Sequence, residues 1–348
     1  MRVSPLLLLL ALIAGWAQAT PRSLPVLSVE SEARAAAVAW LDSLPEAMQE
    51  QAVFTMEDPE RRAWSNLPHS MFARKGVALG EMDAKQKRAA HALLRTVLSS
   101  GGYLQVTGIM RGDDILMESY PAPKDGSAPR YGHDYYWIGL FGDPRGKGAW
   151  GMQLDGHHLA LNITARAGQM RVTPTFLGGN PVEVASGPYA GWKVLSGPDE
   201  WGLKLYHSLS DEQRAKAVIA KQSPGDVLAG PTKAGLIGDQ QGIVVSSLDP
   251  DQRRCVEEIV REFVHTYRGD LGAQAMHEYR KDLEEGVTFA WLGGDASNPY
   301  AYRIHGPRTW VEFSNVRGSG SQDVGMNHIH AVWRRLGDDY GKQLLAKD

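Results

Sequence analysis

The chain contains 11 histidines, and four of them fall in two tight groups: His157-His158 and His328-Ile-His330. His328 and His330 lie within Asn327 to Trp333, a run with the texture of a strand, and His157-His158 open another, His157 to Thr164. Side chains two apart on a strand point to the same face, so the imidazoles of His328 and His330 can reach one ion. Adjacent strand residues point opposite ways, so one of His157 and His158 joins them unless a bulge intervenes. Glu312, between Val311 and Phe313, is the carboxylate to add, because a charge facing inward from a strand needs a partner. Asp155 is a second option, and Arg303 and Arg308 are possible salt-bridge partners for Glu312. Two or three histidines with a carboxylate make a ligand set for zinc, iron or copper, and an open position beside such an ion permits activation of water.

The chemistry that follows first is metal-dependent hydrolysis. His328, His330 and one of His157 or His158 would bind the ion. Glu312 would be a fourth ligand or the base, and Arg303 or Arg334 would stabilise a developing anion. A second reading is a copper or zinc holder without catalysis, since Met152 and Met326 lie close in sequence to the histidines and soft thioethers suit copper. A third is an aromatic-lined binder of a carbohydrate or other small ligand, drawing on Trp137, Trp150, Trp291, Trp310 and Trp333. No phosphate-cradling Gly-x-x-x-x-Gly-Lys-Ser/Thr and no Gly-x-Gly-x-x-Gly leading from a strand into a helix occurs, so no nucleotide cofactor is expected. There is no Gly-x-Ser-x-Gly elbow, and His277-Glu278 lacks a following histidine because Lys281 stands there.

Helices and strands must position these groups. Ser28 to Leu44 and Asp83 to Ser100 read as helices, the second with Ala89, Ala90, Leu93, Leu94, Val97 and Leu98 at helical spacing and Gly101-Gly102 at its end. Tyr135 to Phe141, Trp150 to Leu154, His157 to Thr164 and Gln169 to Phe176 form an antiparallel meander. A helical block follows: Trp201 to Ser208, a helix capped by Ser210 that runs to about Lys221, and one begun by Asp249-Pro250. The last places Cys255, Val256, Ile259, Val260, Phe263 and Val264 on one face, and Leu271 to Leu283 adds another. Strands return at Val287 to Leu292, Tyr300 to His305, Thr309 to Phe313 and Asn327 to Trp333, with His305-Gly-Pro-Arg308 as a hairpin turn. The expected class is α+β: one antiparallel sheet built from the central meander and the C-terminal strands, with N-terminal and middle helices packed on it. Its plan is helical over 28–130, strands over 135–176, helical over 199–285 and strands over 287–334.

The first residues read as a signal peptide: Arg2, the apolar run Leu6 to Ala14, and Ala17-Gln-Ala19 as the cleavage site. Cleavage after Ala19 removes 19 of 348 residues and leaves 329, expected as a single domain over 20–348 in the periplasm or medium. No later apolar run approaches the roughly 20 residues of a membrane span, so no integral membrane segment is expected after cleavage. Loss of Arg2 takes the formal net charge from −3 to −4, which gives no reason to expect a nucleic-acid partner. The expected partner is a small-molecule or cell-envelope substrate. A single cysteine, Cys255, excludes an intramolecular disulfide.

Several segments together resemble one family. They are Trp64-Ser-Asn-Leu-Pro68, Tyr136-Trp-Ile-Gly-Leu-Phe-Gly-Asp-Pro144, and Trp150 through Gly156-His157-His158 to Asn162. In the C-terminal part they are Tyr302-Arg-Ile-His-Gly-Pro307, Val311-Glu-Phe313, and His328-Ile-His-Ala-Val-Trp-Arg334 with Asp339-Tyr-Gly341. This is similar to the family of domain of unknown function 3500, many of whose members carry a secretion signal, over roughly residues 30 to 345. The resemblance implies that the mature chain is one unit and that the Gly-His-His and His-x-His segments belong to one pattern. It implies no activity. Where the family pattern has an acidic residue after Trp333-Arg334, this chain has Arg335.

Overall fold

The computed structural model describes residues 28–120, 124, 130–231, 233–294, 297–318 and 325–346. The expected signal peptide, cleavage site included, lies outside the described residues. Thirteen strands form one open, mostly antiparallel sheet. In chain order they are β1 (Val53–Phe54), β2 (Val77–Ala78), β3 (Tyr136–Phe141), β4 (Trp150–Gly156), β5 (Leu159–Arg166), β6 (Gln169–Arg171), β7 (Thr175–Gly179), β8 (Val218–Ala220), β9 (Ile243–Val244), β10 (Thr288–Gly293), β11 (Tyr300–His305), β12 (Thr309–Arg317) and β13 (Met326–Arg335). The order across the sheet is β1-β3-β4-β5-β7-β13-β12-β11-β10-β8. The central meander and the C-terminal strands therefore meet at one seam, the antiparallel pairing of β7 with β13. Only β1 with β3 and β10 with β8 pair in parallel, both at the sheet's ends.

Nine helices complete the described structure: α1 (Val29–Ser43), α2 (Glu46–Ala52), α3 (Ala84–Val97), α4 (Ser100–Ser119), α5 (Ser196–Ser208), α6 (Asp211–Ala217), α7 (Pro250–Val264), α8 (Gly269–Glu285) and α9 (Lys342–Leu345). Their starts are written locally. Asp83, Ser210 and Asp249 each close a capping box with the glutamine three residues on, satisfying amides that a helix start leaves unpaired. The apolar stripes of α1, α3, α4 and α7 enter one large core together with Met152, Leu154, Leu161, Leu177, Ile329, Ala331, Val311, Phe313 and Tyr302 from the sheet. Each fully buried aliphatic or aromatic side chain there contributes about 1.5–3 kcal/mol.

Strand alternation sends the intervening residues to the other face. Ala160, Phe176, Trp310 and Val332 form a smaller cluster there with Trp64, Val227 and Ala229, which come from irregular segments. One face of the sheet is thus helix-covered and the other loop-covered. His328 and His330 share the parity of Val332 and lie on the loop-covered face.

The α+β class and the antiparallel sheet are as expected, and four local details differ. The helix capped by Ser210 ends at Ala217 instead of running to about Lys221, and Val218–Ala220 is strand β8. His157 and His158 are not the first residues of a strand but the two-residue turn between β4 and β5. The run from Gln169 to Phe176 is two strands, interrupted at Pro174, which has no N–H for the ladder. Gly101-Gly102 do not end a helical region: α4 begins there, and a Cβ on Gly102 would lie 1.9 Å from the Thr266 carbonyl oxygen. The glycine admits a neighbouring backbone instead of stopping a helix.

Candidate metal centre

The β7–β13 seam supplies the frame of the site. Gly178 of β7 lies opposite His330 of β13. A Cβ at Gly178 would come within 2.8 Å of the Ile329 carbonyl oxygen and 3.2 Å of His158 Cδ2, so glycine leaves the space that the His158 ring fills. His158 reaches it from the β4–β5 turn with φ of 63°, a left-handed conformation in which histidine is one of the less disfavoured residues. Its N–H contacts the Asn66 carbonyl, and its own carbonyl accepts from Gly178 N–H at 2.7 Å. The turn therefore sends the two adjacent rings to different partners, which a regular strand would do only by pointing them to opposite faces.

Three imidazoles converge. His158 Nε2 lies 3.0 Å from His328 Nε2, which lies 3.1 Å from His330 Nε2. All three ligand atoms are within 4.8 Å of one another. Two nitrogens each about 2.0–2.1 Å from one ion sit roughly 2.9 Å apart at a right angle and roughly 3.4 Å apart at the tetrahedral angle. The His158–His328 and His328–His330 separations fall in that range.

Proton accounting favours a cation at this point. His330 Nδ1 lies 2.7 Å from Asp226 Oδ1, so its N–H donates there and Nε2 keeps a lone pair. One hydrogen on His328 Nε2 can serve only one of the two nitrogens facing it, leaving another lone pair unmatched. Burial, reinforced by His157, His328 and His330, pushes the His158 imidazole well below its ordinary pKa. Burial and then His330 and His157 push His328 down to about 3. Both are neutral ligands at physiological pH. Burial alone would raise Asp226, but the hydrogen bonds it accepts from the His330 ring and the Val227 N–H outweigh this and hold the carboxyl below the usual range. His158 is buried, whereas His328 and His330 are only partly so, and the site reaches solvent on their side.

A second group, Asp113, His157 and His158, also gathers ligand atoms within 4.8 Å. His157 Nδ1 lies 2.7 Å from Asp113 Oδ1, and Tyr136 Oη lies 3.1 Å from Asp113 Oδ2 and 2.8 Å from the His157 carbonyl oxygen. The His157 and His158 rings stack with centroids 3.7 Å apart and planes 29° from parallel. An imidazole binds a metal in its ring plane, so stacked rings present faces to one another and not a shared coordination point. This group supports the His158 ring from behind.

The other candidates lie outside the three-histidine group. Glu312 is fully buried, accepts from Arg303 Nε at 2.8 Å and from the Ala229 N–H at 2.8 Å, and has no ligand atom in either group. Arg334 donates through Nε and Nη2 to the carbonyls of Ala229 and Gly230 and through Nη1 to Asp339. Both residues hold the segment that carries Asp226. Arg308 pairs with Asp282 and Glu285, not with Glu312. Asp155 accepts from Arg74 at 2.8 Å and from the Ser65 N–H, anchoring the loop that carries Asn66. Met152 is in the large core and Met326 packs against it. Arg335 pairs with Glu278 and Asp338.

Asp113 and Asp226 are the functional residues that sequence reasoning missed. Asp113 had a signal: it occupies a position in the buried stripe of α4 that Val106, Ile109, Met110 and Leu116 mark as apolar. Asp226 had none, being one polar residue of a Pro/Gly-rich loop.

Fold and site together define an α+β protein with a three-histidine candidate metal centre at the seam of its sheet. The chain belongs to the family described as protein of unknown function (DUF3500), whose profile matches residues 28–342. No curated protein and no solved structure matches it. Among the described residues no helix is long and apolar enough to cross a membrane.

Proposed function

We propose that this is an exported metal-dependent hydrolase in which His158, His328 and His330 hold one divalent transition-metal ion, zinc being the first candidate. The observation that carries the reading is the convergence of three Nε2 atoms at 3.0 and 3.1 Å, with Asp226 on the far nitrogen of His330. Carboxylate-backed histidine is a recurrent device for fixing the tautomer and ring orientation of a metal ligand. Three nitrogen donors suit zinc and leave room for a further ligand. A divalent ion held by three neutral ligands keeps its full charge and can lower the pKa of a water at an open position to about 7. Partial exposure of His328 and His330 supports access for a substrate from solvent. Export rests on the Arg2, Leu6–Ala14 and Ala17-Gln-Ala19 pattern.

The test is metal analysis of protein purified without a His-tag, with His328→Ala/His330→Ala as control, followed by ester, phosphoester and peptide hydrolysis assays on stripped and reloaded protein. About one equivalent of metal, absent from the double variant, with turnover that follows reloading, is the expected result. Failure to retain any ion after reconstitution with zinc, iron and copper would remove the reading altogether. A bound ion without turnover would leave a metal holder. For export, intact-mass measurement of the secreted protein should give a chain starting at Thr20.

A further inference from the structure

Away from the three-histidine group, the loop-covered face holds a cavity of about 240 Å³ between β10–β12 and the segment from Ile219 to Gln241. Its apolar wall includes Ile219, Leu228, Leu236 and Ala290. Its polar groups are Arg303 and His305, two apart on β11, and Trp310, which the register sets opposite His305 on β12. Asp239 and Gln241, both exposed, complete the lining.

Hydrogen-bond donors are in surplus here. Arg303 donates to Glu312 through Nε, while among the described residues its two Nη nitrogens have no hydrogen-bond partner. Trp310 is 3 % exposed, and its indole N–H is buried without an acceptor among the described residues. Leaving such a group unpaired costs on the order of 1–3 kcal/mol, and such groups are few in folded proteins. The ring of His305 makes an edge contact with Trp310 at 4.9 Å between centroids, and no hydrogen bond to it is made by any described residue. Burial and the neighbouring Arg303 hold His305 below its ordinary pKa, so it offers one N–H as a neutral ring. Glu312 accepts from Arg303 Nε and the Ala229 N–H, and among the described residues it makes no bond to the free donors.

We propose that this cavity binds a small carboxylic acid with an apolar body. The carboxylate accepts from the Nη edge of Arg303 and the indole N–H of Trp310, and the body lies against Leu228, Leu236 and Ala290. A guanidinium offers planar paired donors that match a carboxylate, and Arg303 keeps one such edge uncommitted. Two negative charges oppose the bound carboxylate: Glu312, already paired with the Nε edge of Arg303, and Asp239, whose exposure lets water screen it. The site does not depend on the metal reading.

Calorimetric titration with benzoate, hexanoate and uncharged benzamide decides the matter, using the mature protein and its His328→Ala/His330→Ala variant in parallel. Benzoate or hexanoate should bind to both proteins and benzamide at least tenfold more weakly. Trp310→Phe, which keeps the ring and deletes the donor, should weaken binding about tenfold. Leu236→Trp, at a 58 % exposed position of the wall, should block the cavity without disturbing the core. Asp239→Asn should tighten binding. Carboxylate binding that disappears with the two histidines would assign it to the metal centre and overturn the proposal. So would equal affinity for benzamide, indifference to Trp310→Phe and Leu236→Trp, or no carboxylate binding at millimolar concentration.

Discussion

At the scale of single residues, the site depends on which nitrogen of each imidazole is free. Asp226 settles this for His330 by taking the Nδ1 hydrogen at 2.7 Å. Asp226→Asn keeps the shape but can present an N–H where an acceptor is needed. Loss of a carboxylate behind a metal-bound histidine typically costs 10- to 100-fold in affinity. A chelator competition titration of this variant should therefore show metal binding weakened by about that factor; unchanged affinity would mean that His330 is not a ligand through Nε2. Asp113 plays the same part for His157, one residue away, but the stacking of His157 on His158 makes it a brace for the ring.

At the scale of elements, the tight place is the contact between β7, β13 and the β4–β5 turn. Gly178→Ala introduces a Cβ that meets backbone at 2.8 Å and the His158 ring at 3.2 Å. The ring can yield only by moving off the triangle. This substitution should cost about 1–3 kcal/mol in denaturant unfolding and weaken metal binding at least tenfold. Gly179→Ala, whose nearest contact is Val194 Cγ1 at 3.4 Å, is the control and should do neither. Arg334 belongs to the same scale, because it joins β13 to the Ala229–Gly230 backbone and to Asp339. Arg334→Met leaves that carboxylate and two buried carbonyls without their donor. A loss of roughly 3–5 kcal/mol is expected in the same measurement. A variant as stable as the parent but devoid of hydrolytic turnover would instead assign Arg334 to the chemistry.

At the scale of the whole molecule, the candidate ligands come from opposite halves of the sheet. His158 belongs to the central meander and His328 and His330 to the last strand, so one ion would tie together segments 170 residues apart. A ligand that binds only the folded state stabilises it by about 4 kcal/mol at a thousandfold excess over its dissociation constant. Zinc should therefore raise the melting temperature by several degrees in the parent and leave His328→Ala unmoved. Equal shifts in both proteins would show that zinc acts at some other site. The irregular segments join this assembly too, since Asn66 and Asp226 each approach the His330 ring from a different loop.

Much of the architecture was legible in the residue order because it is local or periodic. Capping residues before α3, α6 and α7, the apolar stripe of α7 and the His305–Arg308 turn follow from interactions within a few residues. The same-face placement of His328 and His330 needs only the two-residue period of a strand. The order of strands, and with it the β7–β13 seam, is a long-range choice that no local pattern encodes. That pairing is what brings His158 to His328. The positive φ of His158 decided which of two neighbouring histidines turns inward, and strand periodicity is silent about a turn. Glu312 looked like a ligand because a buried charge must have a partner. Its partners, Arg303 and the Ala229 amide, are set by sheet register and loop docking, and those exist only once the chain has folded.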